Sequence, residues 1–414
     1  MRLRVIFGLQ ALAISVILLV VACEDSATTP RAYFSIPDQT PSPQAQQSAQ
    51  TSENPTPVVA PVPELPANEI AVEPLDLAAV TGDPRSEQMA AYLAGLEEDG
   101  IFMGSVLVAH NGSLLLNEGY GLADVDAASP NMVQTQFRIG SLTKQFTAAA
   151  ILKLQEQGLL NVQDPVALYL PDYPHGEQIT IHQLLTHTAG IPNYERRPDL
   201  PQVVQAPIAL DDLIATFSNQ PLQFAPGQQY QYSSSGYVVL TKIIEIVTGR
   251  SYADYLESEL LAPAGLVNSG YDYLAPDLTN PAVGYQLTPG GPRPAILTDS
   301  SWPTGAGALY STLEDLYRWD RALYTDAILS EASREAMFTP WADTRQGADY
   351  GYGWDIGNTA GRPSIVHGGG IFGFASFMAR FPQDDAVIIV LSNGIQMPPR
   401  HVAESLAQIL FSVQ

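Results

Sequence analysis

The chain has 414 residues, a formal net charge of −24, one cysteine and 46% hydrophobic residues. The negative charge argues against a nucleic-acid partner, because nucleic-acid binding needs a basic surface that releases counterions. A single cysteine excludes an intramolecular disulfide and a cysteine-rich zinc site. The length allows one large domain or two smaller ones.

The first 22 residues have the pattern of a secretory signal. Arg2 and Arg4 precede an apolar run over residues 5–22, and the only cysteine, Cys23, follows directly. Val-Val-Ala-Cys at residues 20–23 resembles a bacterial lipobox, in which cleavage leaves the cysteine as the lipid-modified N-terminus. The alternative is a transmembrane anchor, for which the run is just long enough. We expect an exported protein, anchored to a membrane through lipid on Cys23 and facing the periplasm or the cell exterior.

The next segment has the composition of a tether. Residues 24–80 contain ten prolines with much glutamine, serine, threonine and alanine, and they show no apolar periodicity. Such a segment cannot bury enough apolar surface to offset its loss of conformational entropy, and prolines favour extended conformations. We predict a disordered tether over residues 23–83 and one folded domain over residues 84–414.

The folded domain begins with a helix and a hairpin. Apolar residues at helical spacing start at residue 86, and Gly100 closes the pattern. Residues 105–109 and 114–120 are apolar runs joined through Asn-Gly at positions 111–112. Asn-Gly is the strongest short hairpin signal, because both residues tolerate positive φ. Two antiparallel strands are therefore predicted.

A second hairpin lies near the C-terminus. It is predicted over residues 374–381 and 386–391, and a helix follows over residues 399–411. We expect the two hairpins to share one sheet. Between them, helical patterns cover residues 142–157, 181–185, 210–218 and 237–248. These patterns predict an α+β fold, with a mainly helical region inserted in a sheet-forming chain.

One Ser-x-x-Lys sequence occurs, at Ser141 and Lys144. An extended stretch gives way to a helix at Ser141, so the free N–H groups of the helix favour negative charge there. Lys144 is one turn later on the same face. A partly buried lysine with a lowered pKa can take the proton of a serine hydroxyl and activate it as a nucleophile. The alternative is that Ser141 only caps the helix and Lys144 is a surface lysine.

The surrounding sequence resembles a known superfamily. Residues 135–149, Thr-Gln-Phe-Arg-Ile-Gly-Ser-Leu-Thr-Lys-Gln-Phe-Thr-Ala-Ala, are similar to the active-site segment of the serine beta-lactamases and penicillin-binding proteins. Further matches are Gly-Tyr-Gly-Leu-Ala-Asp at 119–124, Leu-Leu-Thr-His-Thr-Ala-Gly at 184–190, Phe-Ala-Pro-Gly at 224–227 and Gly-Ala-Gly at 305–307. The resemblance covers about residues 86–412 and is closest to the class C branch, whose relatives include D-aminopeptidases and family VIII carboxylesterases. It implies a beta-lactamase-like fold, an antiparallel sheet flanked by helices.

The second motif of the superfamily, Tyr-x-Asn, is absent, and Tyr-Ser-Ser at residues 232–234 takes its place. By resemblance, Tyr232 is a general base toward the serine and a general acid toward the leaving group. A tyrosine beside a lysine ammonium can have a lowered pKa. Ser234 stands where asparagine would contact a substrate amide, and its side chain is shorter with one hydroxyl. We predict that Ser234 contacts the substrate and that its identity disfavours amides and beta-lactams.

The third motif, normally Lys-Thr-Gly, reads His367-Gly368-Gly369. The resemblance implies that Gly368 and Gly369 let the substrate lie against the strand. It also implies an oxyanion hole formed by the backbone N–H groups of Ser141 and Gly370. His367 would orient the tyrosine or a substrate carboxylate, and we expect its charge to change near neutral pH.

The remaining candidate residues receive lesser roles. His187 is interpreted as a structural hydrogen-bonding residue. The aromatic candidates for the lining of the cleft are Tyr194, Trp302, Trp354 and Phe372. No His-Glu-x-x-His or Gly-x-Ser-x-Gly sequence supports a metal or an α/β-hydrolase, and no Walker or Gly-x-Gly-x-x-Gly context suggests a nucleotide. We predict no metal and no cofactor.

The resemblance implies a serine hydrolase that forms an acyl-enzyme on peptide, amide or ester carbonyls. An exported location favours D-amino-acid peptides of peptidoglycan, cleaved by a D-Ala-D-Ala carboxypeptidase or D-aminopeptidase. Ser234 and the missing third-motif lysine favour carboxylesters instead. A class C beta-lactamase ranks below both, and a non-catalytic sensor that binds penicillin or peptidoglycan is a hypothesis of a different class. The expected partners are a small-molecule or peptidoglycan-peptide substrate and a membrane.

Overall fold

The helices and strands follow the apolar patterns of the sequence from residue 84 onward. The computed structural model describes residues 82–271, 274, 278–288 and 290–412, so the predicted signal, Cys23 and nearly all of the predicted tether lie outside the described residues. The helices are α1 Pro84–Glu98, α2 Thr143–Glu156, α3 Ile181–Leu185, α4 Leu200–Val203, α5 Leu210–Ser218, α6 Ser234–Thr248, α7 Tyr252–Leu256, α8 Thr304–Gly307, α9 Leu313–Ala322, α10 Glu331–Met337 and α11 Pro399–Phe411. The strands are β1 Phe102–His110, β2 Ser113–Tyr120, β3 Leu122–Asp124, β4 Ser129–Pro130, β5 Phe137–Arg138, β6 Tyr285–Thr288, β7 Gly291–Pro294, β8 Tyr310–Ser311, β9 Ala342–Asp343, β10 Asp349–Tyr350, β11 Asp355–Thr359, β12 Arg362–Ile371, β13 Phe374–Phe381 and β14 Ala386–Ile395.

Both predicted hairpins form, and they share one sheet as predicted. The turn between β1 and β2 has positive φ at Asn111 (51°) and Gly112 (72°). Strand β1 pairs antiparallel with β14 from Phe102 to His110. The main sheet has the order β2-β1-β14-β13-β12-β11-β10-β9, and the β6–β7 hairpin joins it beside β14. This arrangement confirms the α+β class.

The sheet is covered on both faces. On one face α1 and α11 bury residues such as Met89 and Leu406 against strand residues that include Val108. On the other face the helical region packs in a second cluster, in which α2 and α6 lie at the centre. Full burial of an aliphatic side chain contributes about 1.5–3 kcal/mol, so the first cluster holds α1 and α11 on the sheet and the second holds the inserted helical region on its other face.

The start of α6 differs from the prediction. The sequence pattern placed it near Tyr237, but the helix begins at Ser234, because Ser233 has an extended backbone (φ −145°, ψ 115°) and the chain turns helical immediately after it. The first turn contains no apolar side chain, so the apolar periodicity that predicts a helix begins only after it. The consequence is that Ser234 lies on α6 and faces α2. Helices α3, α5 and α11 have the predicted bounds.

Among the helices of the described ranges, none is long and apolar enough to cross a membrane.

Candidate active site

A short 3-10 turn, Gly140–Leu142, presents Ser141 and leads directly into α2. Gly140 has a φ of 52°, and a Cβ on it would lie 2.7 Å from the nitrogen of Gly370 on β12. The Ser376 hydroxyl donates a 2.7 Å hydrogen bond to the Ile139 carbonyl and fixes the turn from the neighbouring strand. The serine is therefore held against β12 by a contact that only glycine permits.

The glycines of β12 differ in what surrounds them. A Cβ on Gly369 would lie 2.0 Å from the Ile139 oxygen and 2.3 Å from the Ser376 hydroxyl oxygen, whereas a Cβ on Gly370 would meet nothing within 4 Å. The prediction is that the missing side chain of Gly369 makes room for the substrate. In the structure it makes room for the turn that carries Ser141, because that turn packs directly on Gly369.

Lys144 is fully buried behind the serine. Its Nζ donates to the Ser141 Oγ (3.0 Å), the Ser234 Oγ (3.2 Å) and the Ala306 carbonyl (2.8 Å). Burial lowers the pKa of Lys144 to about 8, and the negative charge of Glu195 opposes this shift. A neutral lysine amine has two N–H donors and one lone pair. The donors can stay on Ser234 and Ala306 while the lone pair accepts the proton of Ser141.

Tyr232 lies next to both Ser141 and Lys144. Its ring centroid is 4.8 Å from the Lys144 Nζ. Burial raises the pKa of Tyr232 well above its usual value, Glu195 adds to the rise, and a hydrogen bond with Ser141 opposes it. The expectation of a lowered tyrosine pKa is therefore wrong. Desolvation outweighs the ammonium, which is itself shifted toward its neutral form by burial.

Ser234 does not occupy the predicted position against a substrate. Its side chain is fully buried, and its hydroxyl accepts the hydrogen bond from Lys144. Ser234 is not one of the described residues that line the two cavities beside the serine. The hydroxyl positions the lysine. An asparagine at the first turn of α6 would reach further than this shorter side chain does.

His367 is buried, and its partners are not those predicted. Its Nδ1 donates to the Gly368 carbonyl (2.7 Å), so its Nε2 accepts from the Tyr350 hydroxyl (2.9 Å). Burial, reinforced by the charge of Lys144, lowers the pKa of His367 to about 3. The expectation that its charge changes near neutral pH is therefore wrong, because the ring is neutral above about pH 4.

His187 has the structural position that we predicted. Its ring is buried, its Nδ1 accepts a 3.3 Å hydrogen bond from the Ser233 backbone N–H, and its backbone carbonyl accepts one from Gln231 (2.9 Å). The ring centroid is 4.3 Å from that of Tyr232. His187 thus holds the segment that carries Tyr232.

Two cavities meet at Gly370. The larger, about 690 Å³, is bordered by Ser141, and the smaller, about 650 Å³, is bordered by Tyr232 and His367. Gly368 and Gly369 border the smaller cavity as well. Of the predicted aromatic lining residues, three border the larger cavity, namely Tyr194, Trp302 and Phe372. Trp354 is instead fully buried in the core.

Two residues near the serine were missed by the sequence analysis. Glu195 borders the larger cavity and acts on the pKa values of Lys144 and Tyr232, and Tyr350 holds His367. Glu195 follows the motif at residues 184–190 by five positions and lies in a short 3-10 helix, Tyr194–Arg196, whose sequence has no periodic pattern. Its proximity to that motif was the only available signal. Within the described ranges, no group of three or more histidine, cysteine or acidic residues could hold a metal.

Comparison with known proteins identifies the family, since the Beta-lactamase family matches residues 86–410. The chain belongs to this family. A Bacillus subtilis (strain 168) protein named as a penicillin-binding protein, PbpX, is 32% identical over 312 residues, which are 75% of this chain and 74% of that protein. The structure of an octameric penicillin-binding protein homologue from Pyrococcus abyssi aligns with a TM-score of 0.70 at 28% identity, covering 78% of this chain and 77% of that one.

A D-amino acid amidase from Ochrobactrum anthropi SV3 shares the fold, with a TM-score of 0.70 at 22% identity over 79% of this chain and 98% of that one. The predicted superfamily and fold are thus confirmed. The protein is a beta-lactamase-fold hydrolase related to penicillin-binding proteins.

Proposed function

We propose that this protein is a serine hydrolase that cleaves amide or ester carbonyls through an acyl-enzyme, with Ser141 as nucleophile. The observation that carries the proposal is the contact between the Ser141 Oγ and the buried Lys144 Nζ (3.0 Å). A serine needs a neighbouring base to become nucleophilic. A lysine whose pKa is about 8 is partly neutral near neutral pH and can be that base.

The proton follows a short path. The Ser141 oxygen bonds to the substrate carbonyl carbon, its proton passes to Lys144, and the carbonyl oxygen becomes an oxyanion. Tyr232 keeps its own proton at neutral pH because its pKa is raised, so it donates that proton to the leaving group and recovers one from Lys144. Water then attacks the carbonyl of the acyl-enzyme, and the same groups transfer the protons in the reverse direction. Lys144 is thus assigned as the base and Tyr232 as the relay.

The oxyanion is assigned to the backbone N–H groups of Ser141 and Gly370. Both residues border the larger cavity, and the close packing of Gly140 on Gly370 brings the two backbone segments together. Fixed donors directed at a developing oxyanion stabilise it without reorganisation.

The two cavities give the substrate a direction. Ser141 borders the larger cavity, and Tyr232, which protonates the leaving group, borders the smaller one. The acyl part therefore occupies the larger cavity and the leaving group occupies the smaller one.

The test uses the full chain with p-nitrophenyl butyrate and with a fluorescent penicillin. We expect turnover or covalent labelling that disappears in Ser141→Ala and persists in Ser113→Ala, which removes an exposed serine of β2. Ester turnover without penicillin labelling indicates an esterase-type enzyme, and stable labelling indicates a penicillin-binding peptidase. Folded protein that is inactive in both assays would instead be a non-catalytic binder and would contradict the proposal.

We also propose that the protein is exported and held at a membrane by lipid on Cys23. The support is the sequence, in which the only cysteine ends an apolar run that follows two arginines. Cys23→Ser should leave the protein unprocessed or release it to the soluble fraction. Unchanged processing and membrane attachment in cell fractionation would contradict the lipid anchor.

A further inference from the structure

The Gly-Ala-Gly sequence at residues 305–307 lies in α8, beside the lysine of the site. The Ala306 carbonyl accepts a 2.8 Å hydrogen bond from the Lys144 Nζ, whose other two oxygen neighbours are the hydroxyls of Ser141 and Ser234. A neutral amine has two N–H donors and one lone pair. When the donors are occupied by Ala306 and Ser234, the lone pair is left for Ser141. The position of the Ala306 carbonyl therefore affects how well the lysine acts as a base.

Helix α8 is too short to hold that carbonyl in place by itself. It has four residues, all of them buried, and its first residue, Thr304, has a φ of 40°. A β-branched residue at positive φ is an outlier among protein backbones, and it persists only where the surrounding structure imposes it. The restraint on α8 must therefore come from its neighbours.

Two threonines on neighbouring helices hold the backbone of Gly305. The Thr147 hydroxyl on α2 donates to the Gly305 carbonyl (2.6 Å), and the Thr241 hydroxyl on α6 accepts from the Gly305 backbone N–H (3.0 Å). Thr241 also donates to the Tyr237 carbonyl (2.9 Å). The Tyr252 hydroxyl lies 2.7 Å from that of Thr147 and donates to it, because the single proton of Thr147 is used on Gly305. Both threonine hydroxyls are thus fixed from behind.

The two threonines act next to the lysine without lining the substrate site. Both side chains are buried, and neither is among the described residues that border the two cavities beside the serine. A Cβ on Gly305 would lie 2.4 Å from the Thr241 Oγ1 and 2.9 Å from the Thr147 Oγ1, so the glycine permits both contacts. Thr147 follows Lys144 by three residues on α2. The helix that carries the lysine therefore also holds the segment that carries its acceptor.

We propose that Thr147 and Thr241 are positioning residues of the reaction, because they fix the Ala306 carbonyl at hydrogen-bonding distance from the lysine. The fixed carbonyl keeps the lone pair of Lys144 directed at Ser141. This inference rests on the proposed serine-hydrolase function, in which the lysine is the base. Without either hydroxyl α8 can shift, and the hydrogen bond to the carbonyl weakens. An ammonium gains more from that bond than an amine does, so its weakening lowers the pKa of Lys144 further.

The test follows the Ser141-dependent reaction of the full chain, turnover of p-nitrophenyl butyrate or acylation by the fluorescent penicillin, between pH 6 and 9. Thr147→Val and Thr241→Val each remove a hydroxyl and retain the shape of the side chain. We expect the second-order rate constant at pH 9 to fall by about 3- to 10-fold. The rising limb of the pH profile should move to lower pH by about 0.5 to 1 unit. The loss should therefore be much smaller near pH 6.

The controls separate positioning from stability. Thr147→Ser keeps the hydroxyl and should retain the wild-type pH profile. Thr248→Val makes the same change about two turns after Thr241 on α6, where the hydroxyl donates to the Ile244 carbonyl (2.7 Å), and it should leave the rate and the profile unchanged. The Tm of each variant is measured, and the two valine variants affect different helices, so a folded form of either one suffices for the test.

Two results would overturn the inference and leave the proposed function standing. One is an equal loss at every pH with the limb in its wild-type position, which indicates a structural role only. The other is a wild-type rate and profile in the valine variants. Absence of any Ser141-dependent reaction in the wild-type protein would overturn the proposed function, and the inference with it.

Discussion

The two cavities that meet at Gly370 have similar volumes, about 690 and 650 Å³, but opposite chemistry. The larger is mostly apolar and carries the carboxylate of Glu195. The smaller is bordered by two guanidinium groups, Arg196 and Arg400, and by the half-buried carboxyl of Asp355. One nucleophile therefore faces two surfaces that select different halves of a substrate. Specificity in this fold can change on one side without rebuilding the catalytic centre.

The largest expected effect comes from removing the proton donor on the smaller side. Tyr232→Phe should lower kcat/KM on a p-nitroanilide by about 10²- to 10⁴-fold. The loss should be smaller on a p-nitrophenyl ester, because p-nitrophenolate leaves without protonation. Tyr230→Phe, which changes another tyrosine of the same cavity, is the control and should have little effect. Equal losses of Tyr232→Phe on both substrates would argue that Tyr232 does not face the leaving group.

The boundary between the cavities gives the next largest effect. In Gly369→Ala the added Cβ would lie 2.0 Å from the Ile139 oxygen, so the serine turn must move away from β12. We expect a loss of about 10²- to 10³-fold in kcat/KM, the usual effect of a displaced oxyanion donor, together with a lower Tm. Gly370→Ala has open space around its Cβ, so its loss should be clearly smaller. The reverse order would contradict the packing argument.

The pH dependence of the reaction tests which group is the base. Burial lowers the pKa of Lys144 to about 8, and only the neutral amine can accept the serine proton. We therefore expect kcat/KM to rise about tenfold per pH unit below 8 and to level off above it. His367, with a pKa of about 3, contributes no step between pH 5 and 9. A rising limb centred near 6.5 would assign the base to a histidine instead of the lysine.

Local sequence patterns predicted much of the secondary structure, but they failed for properties of the site that depend on burial. The Asn111-Gly112 turn, both hairpins and the α11 bounds follow from short-range rules. The electrostatics of the site do not, because the pKa values of Tyr232 and His367 depend on desolvation by segments distant in sequence. The predicted substrate contact of Ser234 was wrong for a related reason, because its side chain is buried against Lys144, which is distant in the sequence.

Long-range contacts also explain two other differences between the prediction from the sequence and the structure. Gly369 is a glycine because the Ile139 turn packs on it, and the chain separates these residues by more than two hundred positions. Glu195 lies in a 3-10 helix of only three residues, whose sequence has no periodic signal, so only the folded structure shows that it borders the same cavity as Ser141.

The smallest predicted effect concerns the charge of the smaller cavity. Burial raises the pKa of Asp355 to about 6, and Arg400 opposes the rise. The carboxyl is therefore neutral below pH 6 and repels an anionic leaving group above it. For an amide substrate whose leaving group is 4-aminobenzoate, KM should rise about two- to fivefold between pH 5 and 7.5, and Asp355→Asn should remove this rise. The matched 4-aminobenzamide substrate has a neutral leaving group and should show no such change. If KM changes with pH in the same way for both substrates, Asp355 does not face the leaving group, and the smaller cavity does not bind that part of the substrate.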